Sequence, residues 1–323
     1  MYKTIILPLD GSLFAEQAVA TAASIARQAG ADLVLTRVHE PYLYEGLEDS
    51  SYEDMARRDA EEYLASISEH VEATYGLTAE RTLLYGAVAP AICDFAGTIE
   101  APLIVLSTHG RTGYSRLWLG SVADAIARHA ATPVLMLRHR GADAALEVPP
   151  HQFANILVPL DGSDLADSVL PHATSLAEAF GSRLTLLRVV TPMPAPAALY
   201  AVPLAVPPSY VDETLSARIE AAQGYVQAVA GRLHGDDGKL EIRTEVRVSE
   251  TPATSILEMT ALQAADTIAI ATHGRGMSRL VIASVADKIL RGGPEAVLVV
   301  RPELSAAARA QRVSDCGDVN DFL

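Results

Sequence analysis

The stretch Pro8-Leu9-Asp10-Gly11-Ser12 returns as Pro159-Leu160-Asp161-Gly162-Ser163, 151 residues further on. Two more pairs follow in the same order. His109-Gly110-Arg111 is matched by His273-Gly274-Arg275, and Ser121-Val122-Ala123-Asp124 by Ser284-Val285-Ala286-Asp287. Matched segments in a fixed order mean a duplicated domain, and a repeat sets the architecture before any other reading. The length of 323 residues suits two such units, each of about 150 residues and able to bury its own core. Each repeat is also a control on the other, because a residue kept in both has a different standing from one kept in only one.

Working outward, Thr4–Leu9 and Asn155–Leu160 are nearly continuous apolar runs. Such runs fit strands of a parallel sheet covered by helices on both faces. Each ends at Asp-Gly-Ser. In the first repeat a helical pattern follows, with Phe14, Ala18, Ala22, Ile25 and Ala29 on one face, Ser12 as N-cap and Gly30 as stop. A second strand, Asp32–Val38, is matched by Arg183–Val189. A long helix over Tyr52–Tyr75 opens with Glu53 and Asp54, which suit the positive end of a helix dipole and read as a solvated face rather than a metal site. Strand Glu80–Tyr85, helix Ala89–Ala96, strand Leu103–Ser107, a helix near Ser121–His129 and strand Val134–Arg138 complete the unit. The order predicts an α/β fold of two tandem doubly wound domains, each with a mostly parallel five-stranded sheet and right-handed crossovers.

The expected boundaries are a first domain over 1–140, a linker over 141–150, a second domain over 151–302 and a disordered tail over 303–323. The second repeat carries about 13 extra residues, placed in 191–208, where six prolines exclude regular helix. This insert reads as a stiff surface loop, with a lid or docking segment as the alternative.

The net charge is −15, with 11 basic against 20 acidic residues over 1–150 and 14 against 20 over 151–323. Two acidic halves offer no broad field for a nucleic-acid backbone or an anionic membrane. A nucleotide remains open, since backbone amides can hold phosphate without a basic surface. The two cysteines, Cys93 and Cys316, read as free thiols of a reducing compartment. The first residues run straight into a strand pattern without a signal peptide, and no apolar run approaches the roughly 18 residues of a membrane span. The expected location is the cytoplasm.

Ligands of doubly wound domains sit beyond the C-terminal ends of the strands. Asp10, Val38 and the segment from Ser107 to Ser121 fall there. That segment reads Ser107-Thr108-His109-Gly110, nine residues, then Gly120-Ser121. Glycine before a helix lets phosphate approach the backbone, the first amides point at it, and a serine hydroxyl adds a donor. Ser121 to Asp124 also forms a short relative of the capping box, which needs no ligand, and both readings stay open. For Asp10 the alternative is a turn residue, because Asp-Gly is itself a turn signal. His109 and His273 read as loop-shaping residues, no serine or cysteine nucleophile is identifiable with a base, and no metal-ligand spacing stands out. Neither a phosphate loop of the Gly-x-x-x-x-Gly-Lys type nor a Gly-x-Gly-x-x-Gly turn is present.

On the Pro-x-Asp-Gly-Ser strand ends and the His-Gly-Arg to Gly-Ser-Val segments, the chain resembles a tandem universal stress protein over residues 1–140 and 152–302. The resemblance implies a Rossmann-like fold similar to that of the adenine nucleotide alpha hydrolases. Nucleotide-binding members resemble the pattern Gly, two residues, Gly, nine residues, Gly, then Ser or Thr. The first repeat matches it with Gly110, Gly120 and Ser121 and departs at Ser107. The implied ATP site comprises Pro8, Leu9, Asp10, Val38, Ser107, Gly110, Arg111, Gly120, Ser121 and Val122. Asp10 would meet the ribose or adenine end and Val38 the adenine edge. Gly110, Gly120, Ser121 and Val122 would surround the phosphates, and any Mg2+ would arrive with them. In the second repeat Ala271 and Ala283 replace the first and last glycine positions, and the loop is one residue shorter. Asp161, Val189, Gly274, Ser284 and Val285 therefore form a weaker second site, with the Ser284–Asp287 helix cap kept. The resemblance also implies that Val134–Leu137 and Val297–Val300 pair edge to edge, within the chain or in a homodimer. The expected function is a stress-response protein that binds ATP as a regulatory module, mainly in the first repeat. The alternatives are a stress-response scaffold that binds no nucleotide and, with least support, a slow ATP-hydrolysing enzyme.

Overall fold

A computed structural model of the chain describes residues 2–40, 50–108, 120–138, 148–192, 208–234, 240–272, 282–293 and 296–301. The first repeat runs β1 (Thr4–Pro8), α1 (Leu13–Glu16), α2 (Val19–Ala29), β2 (Asp32–His39), α3 (Ser50–Tyr75), β3 (Ala79–Tyr85), α4 (Val88–Thr98), β4 (Pro102–Thr108), α5 (Ser121–His129) and β5 (Val134–Arg138). The second runs β6 (Asn155–Leu160), α6 (Asp164–Asp167), α7 (Leu170–Phe180), β7 (Arg183–Val190), α8 (Pro208–Leu233), β8 (Glu241–Val248), α9 (Pro252–Leu262), β9 (Thr267–Ala271), α10 (Ile282–Gly292) and β10 (Ala296–Val300). The 191–208 insert lies, between 193 and 207, outside the described residues, as do the tail beyond Arg301 and linker residues 139–147. Among the described residues no helix is long and apolar enough to cross a membrane.

The first helix divides in two. Ser12 Oγ accepts from Ala15 N at 3.2 Å and caps α1, which lasts one turn. The chain then restarts as α2 and stops at Gly30, whose φ of 61° supplies the left-handed cap. The second repeat copies the break, with Ser163 capping α6 and Gly181 ending α7 at φ 64°.

All ten strands join one sheet, ordered β3-β2-β1-β4-β5-β10-β9-β6-β7-β8. Within each repeat the pairs are parallel, as buried apolar strands with helical crossovers require. The order reverses between β1 and β4, and again between β6 and β9. Those are the points where a crevice opens at the strand ends. Among the described residues the one antiparallel pair is β5 with β10, in register Ala296↔Leu137 to Val299↔Val134. The expected edge pairing therefore occurs inside the chain. Both edges are consumed by it, so a homodimer through the same two strands is closed off.

Alternate residues of each strand feed two apolar layers. Ile5, Leu7 and Leu35 face α2 and α3, while Ile6, Ile104 and Leu106 face α4 and α5. Each layer continues across the seam through β5 and β10. Polar groups reinforce the seam in a nearly symmetric way. Arg128 pairs with Asp124 at 2.7 Å and reaches Asp287 at 3.4 Å, and Asp287 pairs with Arg291 at 2.9 Å. Arg138, at the end of β5, donates to Gly293 O at 2.8 Å and to Leu290 O, at the C-terminal end of α10. Arg301, at the end of β10, donates to Arg128 O at 2.5 Å, at the end of α5. Guanidinium groups at the negative ends of helices supply the donors those carbonyls lack. On the other face of the sheet, where α2 and α7 lie, further contacts tie the repeats together. His151 N donates to Thr21 Oγ1 at 3.0 Å, and Tyr2 Oη lies 3.1 Å from His172 Nδ1.

Candidate functional site

In the first repeat, the end of β1 delivers Pro8, Leu9 and Asp10. Leu9 is buried, and its amide donates to Thr36 O at 2.7 Å, which holds the chain on β2 as it leaves the sheet. Asp10 Oδ1 accepts from Ser12 N at 2.9 Å, so one carboxylate oxygen braces the turn. The turn needs Gly11, whose φ is 84°. Val38 lies on β2, opposite Leu84 of β3. Ser107 is next to last on β4, and its Oγ is buried without a hydrogen-bond partner among the described residues. Gly110 and Arg111 lie outside the described residues.

The start of α5 corrects two expectations. The N-cap is Gly120, not Ser121, and no side chain among the described residues caps it. Ser121 and Val122 are the first two helical residues and both are exposed. Asp124 does not close a capping box but pairs with Arg128 at the seam. Gly120 has φ −53° and ψ 146°, a conformation open to any residue. Glycine here therefore leaves room for something to approach; the backbone conformation does not demand it. In the second repeat α10 already begins at Ile282, so Ser284 lies inside the first turn and the cap expected over Ser284–Asp287 does not start the helix. Gly274 lies outside the described residues.

The second repeat holds a cavity of about 640 Å³ beyond the ends of β6, β7 and β9. That is the size of a small-ligand site, at the place where doubly wound sheets bind ligands. Asp161, Val189 and Val285 line it.

Sequence reasoning passed over one repeated constellation. In the first repeat the Arg37 guanidinium lies 4.8 Å from the centre of the Tyr63 ring, and Tyr63 Oη donates to Glu16 Oε1 at 3.1 Å. Burial, together with the Glu16 charge, pushes the Tyr63 phenol well above its ordinary range, so it stays a donor. In the second repeat Tyr225 Oη donates to Asp167, and Arg188 donates to Leu160 O at 3.2 Å. Burial and Asp167 raise the Tyr225 phenol likewise. These groups fix the turn that carries Asp10 or Asp161. A methyl on Gly11 would lie 3.3 Å from Arg37 Nη1, and Arg188 stands in the same relation to Gly162. The signal was present in the sequence, since Glu16 and Asp167 share the 151-residue offset, as do Arg37-Val38 and Arg188-Val189.

Cys93 is half-buried, and burial, then Asp94, push its thiol up, away from a nucleophilic thiolate. Among the described residues no three histidine, cysteine or acidic side chains gather as a metal site.

Two doubly wound domains joined through their last strands into one sheet define a tandem α/β class. The chain belongs to the Universal stress protein family, which matches residues 1–138 and 152–301. It is 32% identical over 142 residues to a universal stress protein of Methanocaldococcus jannaschii, covering 43% of this chain and 83% of that protein. It is 33% identical over 138 residues to one from Thermus aquaticus, covering 43% of this chain and 100% of that protein. Among solved structures, a universal stress protein from Archaeoglobus fulgidus superimposes with a TM-score of 0.68 at 20% identity, over 94% of this chain and 100% of that one. A putative universal stress protein from Pseudomonas aeruginosa gives 0.61 at 17% identity, over 98% of both chains. At such identities the structural matches speak for the fold, and they extend across both repeats.

Proposed function

We propose that this protein binds ATP in the crevice of its first repeat and works as a regulatory module of the stress response, not as a catalyst. The observation that carries the reading is the start of α5. It is a helix N-terminus entered through Gly120, with no side-chain cap among the described residues, beside a strand end whose Ser107 hydroxyl is buried without a described partner. Uncapped first-turn amides suit a phosphate group, and an unpaired buried hydroxyl is the kind of group a ligand satisfies. In this reading Asp10 accepts hydroxyl donors of the ribose on the oxygen not used by the turn. Pro8, Leu9 and Val38 flank the base. Gly120, Ser121 and Val122 hold phosphate, with Gly110 and Arg111 expected beside them. Mg2+ would come with the phosphates, since the described residues supply no cation site of their own.

The test uses Gly120→Ala, which the backbone conformation tolerates. Purified protein is denatured and any released adenine nucleotide is identified by chromatography. ATP is then titrated calorimetrically into wild type and variant. Binding in wild type, weakened at least tenfold in Gly120→Ala, supports the reading. Steady turnover of ATP would remove the regulatory assignment. The continuous ten-stranded sheet favours a second reading, a scaffold presenting its outer surfaces to partners. Absence of ATP binding in wild type supports that one.

A further inference from the structure

The two crevices differ in chemistry, and the repeats allow the difference to be read position by position. Aligned through β2 with β7, β4 with β9, and Tyr63 with Tyr225, six cavity-lining residues of the second repeat have changed character. Leu187 stands where the first repeat has Thr36, and Ala271 where it has Ser107. Both hydroxyls are buried without described partners in the first repeat, and the second removes them from its crevice. Val190 replaces His39 and Thr191 replaces Glu40, while Ala221 replaces Asp59 and Arg218 replaces Ala56. The interior has become aliphatic. The rim has lost two carboxylates and gained a guanidinium.

The helix facing the cavity has changed as well. Val285, Ala286 and Ile289 of α10 line it, so the helix presents an apolar flank to the space. Arg218 is held over the end of β7 by a 2.7 Å bond from Nη1 to Thr191 O. Its planar fork carries further N–H groups suited to a carboxylate. Asp161, which also lines the cavity, has Oδ1 engaged by Ser163 N at 2.9 Å and by Ser163 Oγ. Arg188 also lines the cavity and donates to Leu160 O at 3.2 Å, beside Asp161. The first repeat holds Arg37 and Asp10 at these places, so Arg218 is the guanidinium that the second repeat adds.

We propose that the second-repeat cavity binds a small anionic amphiphile, a medium-chain carboxylic acid in chemical class, with its chain among Leu187, Ala271 and the α10 flank and its head on Arg218. This goes beyond nucleotide binding in the first repeat and does not depend on it. The experiment titrates decanoate and decanol into the full chain by calorimetry, with wild type, Arg218→Ala and Arg218→Lys. Circular dichroism and the urea midpoint verify that each variant is folded. The expected result is one decanoate site per chain, tighter than decanol. Losing a charge-assisted pair in Arg218→Ala weakens decanoate by about tenfold or more, Arg218→Lys keeps part of the affinity, and decanol is unmoved. Leu187→Thr, restoring the first-repeat residue, weakens both. The proposal is overturned by no decanoate binding, by decanol binding as tightly, by unchanged decanoate affinity in both Arg218 variants, or by displacement of decanoate by ATP in the Gly120→Ala background.

Discussion

Replacing Arg138 by methionine tests whether the seam between the repeats depends on a buried guanidinium. Arg138 donates to Gly293 O at 2.8 Å and to Leu290 O, both at the C-terminal end of α10. Hydrogen bonds from a charged group contribute about 1.5–3 kcal/mol each, so two supply roughly 3–6 kcal/mol. Burial opposes them. It pushes the Arg138 pKa down from 12.5 to about 10, which at about 1.4 kcal/mol per unit sets roughly 3 kcal/mol against the charged form. The group still stays charged at neutral pH. Methionine fills the space of the stem and avoids the burial cost, but leaves two helix-end carbonyls without donors, at about 1–3 kcal/mol each. Bonds of roughly 3–6 kcal/mol less a burial cost of roughly 3 leave about 0–3 kcal/mol, and the orphaned carbonyls put the expected net loss at its upper end, about 2–3 kcal/mol. Urea unfolding followed by far-UV circular dichroism should show it as a midpoint lowered by about 1 M. Arg301→Met provides the control. Its bond to Arg128 O is exposed, so the loss there should stay near or below about 1 kcal/mol. A change under about 0.5 kcal/mol in Arg138→Met, or a larger loss in Arg301→Met, would refute the reasoning.

Three further outcomes are expected. Gly11→Ala places a side chain at φ 84° and a methyl 3.3 Å from Arg37 Nη1; thermal unfolding should show a loss of about 1–2 kcal/mol, whereas Gly120→Ala should unfold like wild type. Burial holds His172 below its ordinary range, so its neutral form is favoured by folding. The stability it contributes is present above about pH 6.5 and lost as pH falls through its folded value, and His172→Phe should flatten the stability profile between about pH 7 and 5, as urea midpoints across that range will show. Finally, α5 carries Gly120 at one end and the Arg128–Asp287 pair near the other. ATP in the first repeat should therefore slow hydrogen exchange in α10, and Arg128→Ala should confine the slowing to the first repeat. Wild-type protection that never reaches α10 would remove the coupling.

The sheet was legible because its signal is redundant. Apolar runs such as Thr4–Pro8 and Asn155–Leu160 recur with the same flanking glycines, so each repeat supports the assignment of the other. The break between α1 and α2 was not legible, since Gln17 and Ala18 carry no stop signal and the amphipathic pattern runs through them. Ser121 is ambiguous in the sequence for a physical reason. A Ser-x-x-Asp pattern scores equally as a cap or as the first turn of a helix, and only the position of the chain entering from Gly120 decides. The second-repeat cavity is not legible in the sequence for the same kind of reason. A methyl at Ala283 speaks about phosphate approach, but the open volume is decided by residues from four other elements, among them Leu187, Arg218, Ile256 and Ala271.

The recurrence of Ser-Val-Ala-Asp has a different cause from the one its pattern suggests. Its aspartates, Asp124 and Asp287, lie on the two helices that meet at the seam, each paired with an arginine one turn on. A contact made by two copies of one domain across a two-fold arrangement must be self-complementary, so the same residue has to serve on both sides. The crevices are under no such constraint, because each lies at the switch point of its own repeat and not at the seam. Equality at Asp124 and Asp287, and at Arg138 and Arg301, is thus what an internal pairing surface demands. Inequality at Ser107 and Ala271, at Thr36 and Leu187, and at Ala56 and Arg218 is what two crevices away from the seam permit. Fusing the copies in one chain separates these roles. The seam residues stay matched while the crevice residues diverge, so under the two proposals above one crevice can take a ligand that the other does not.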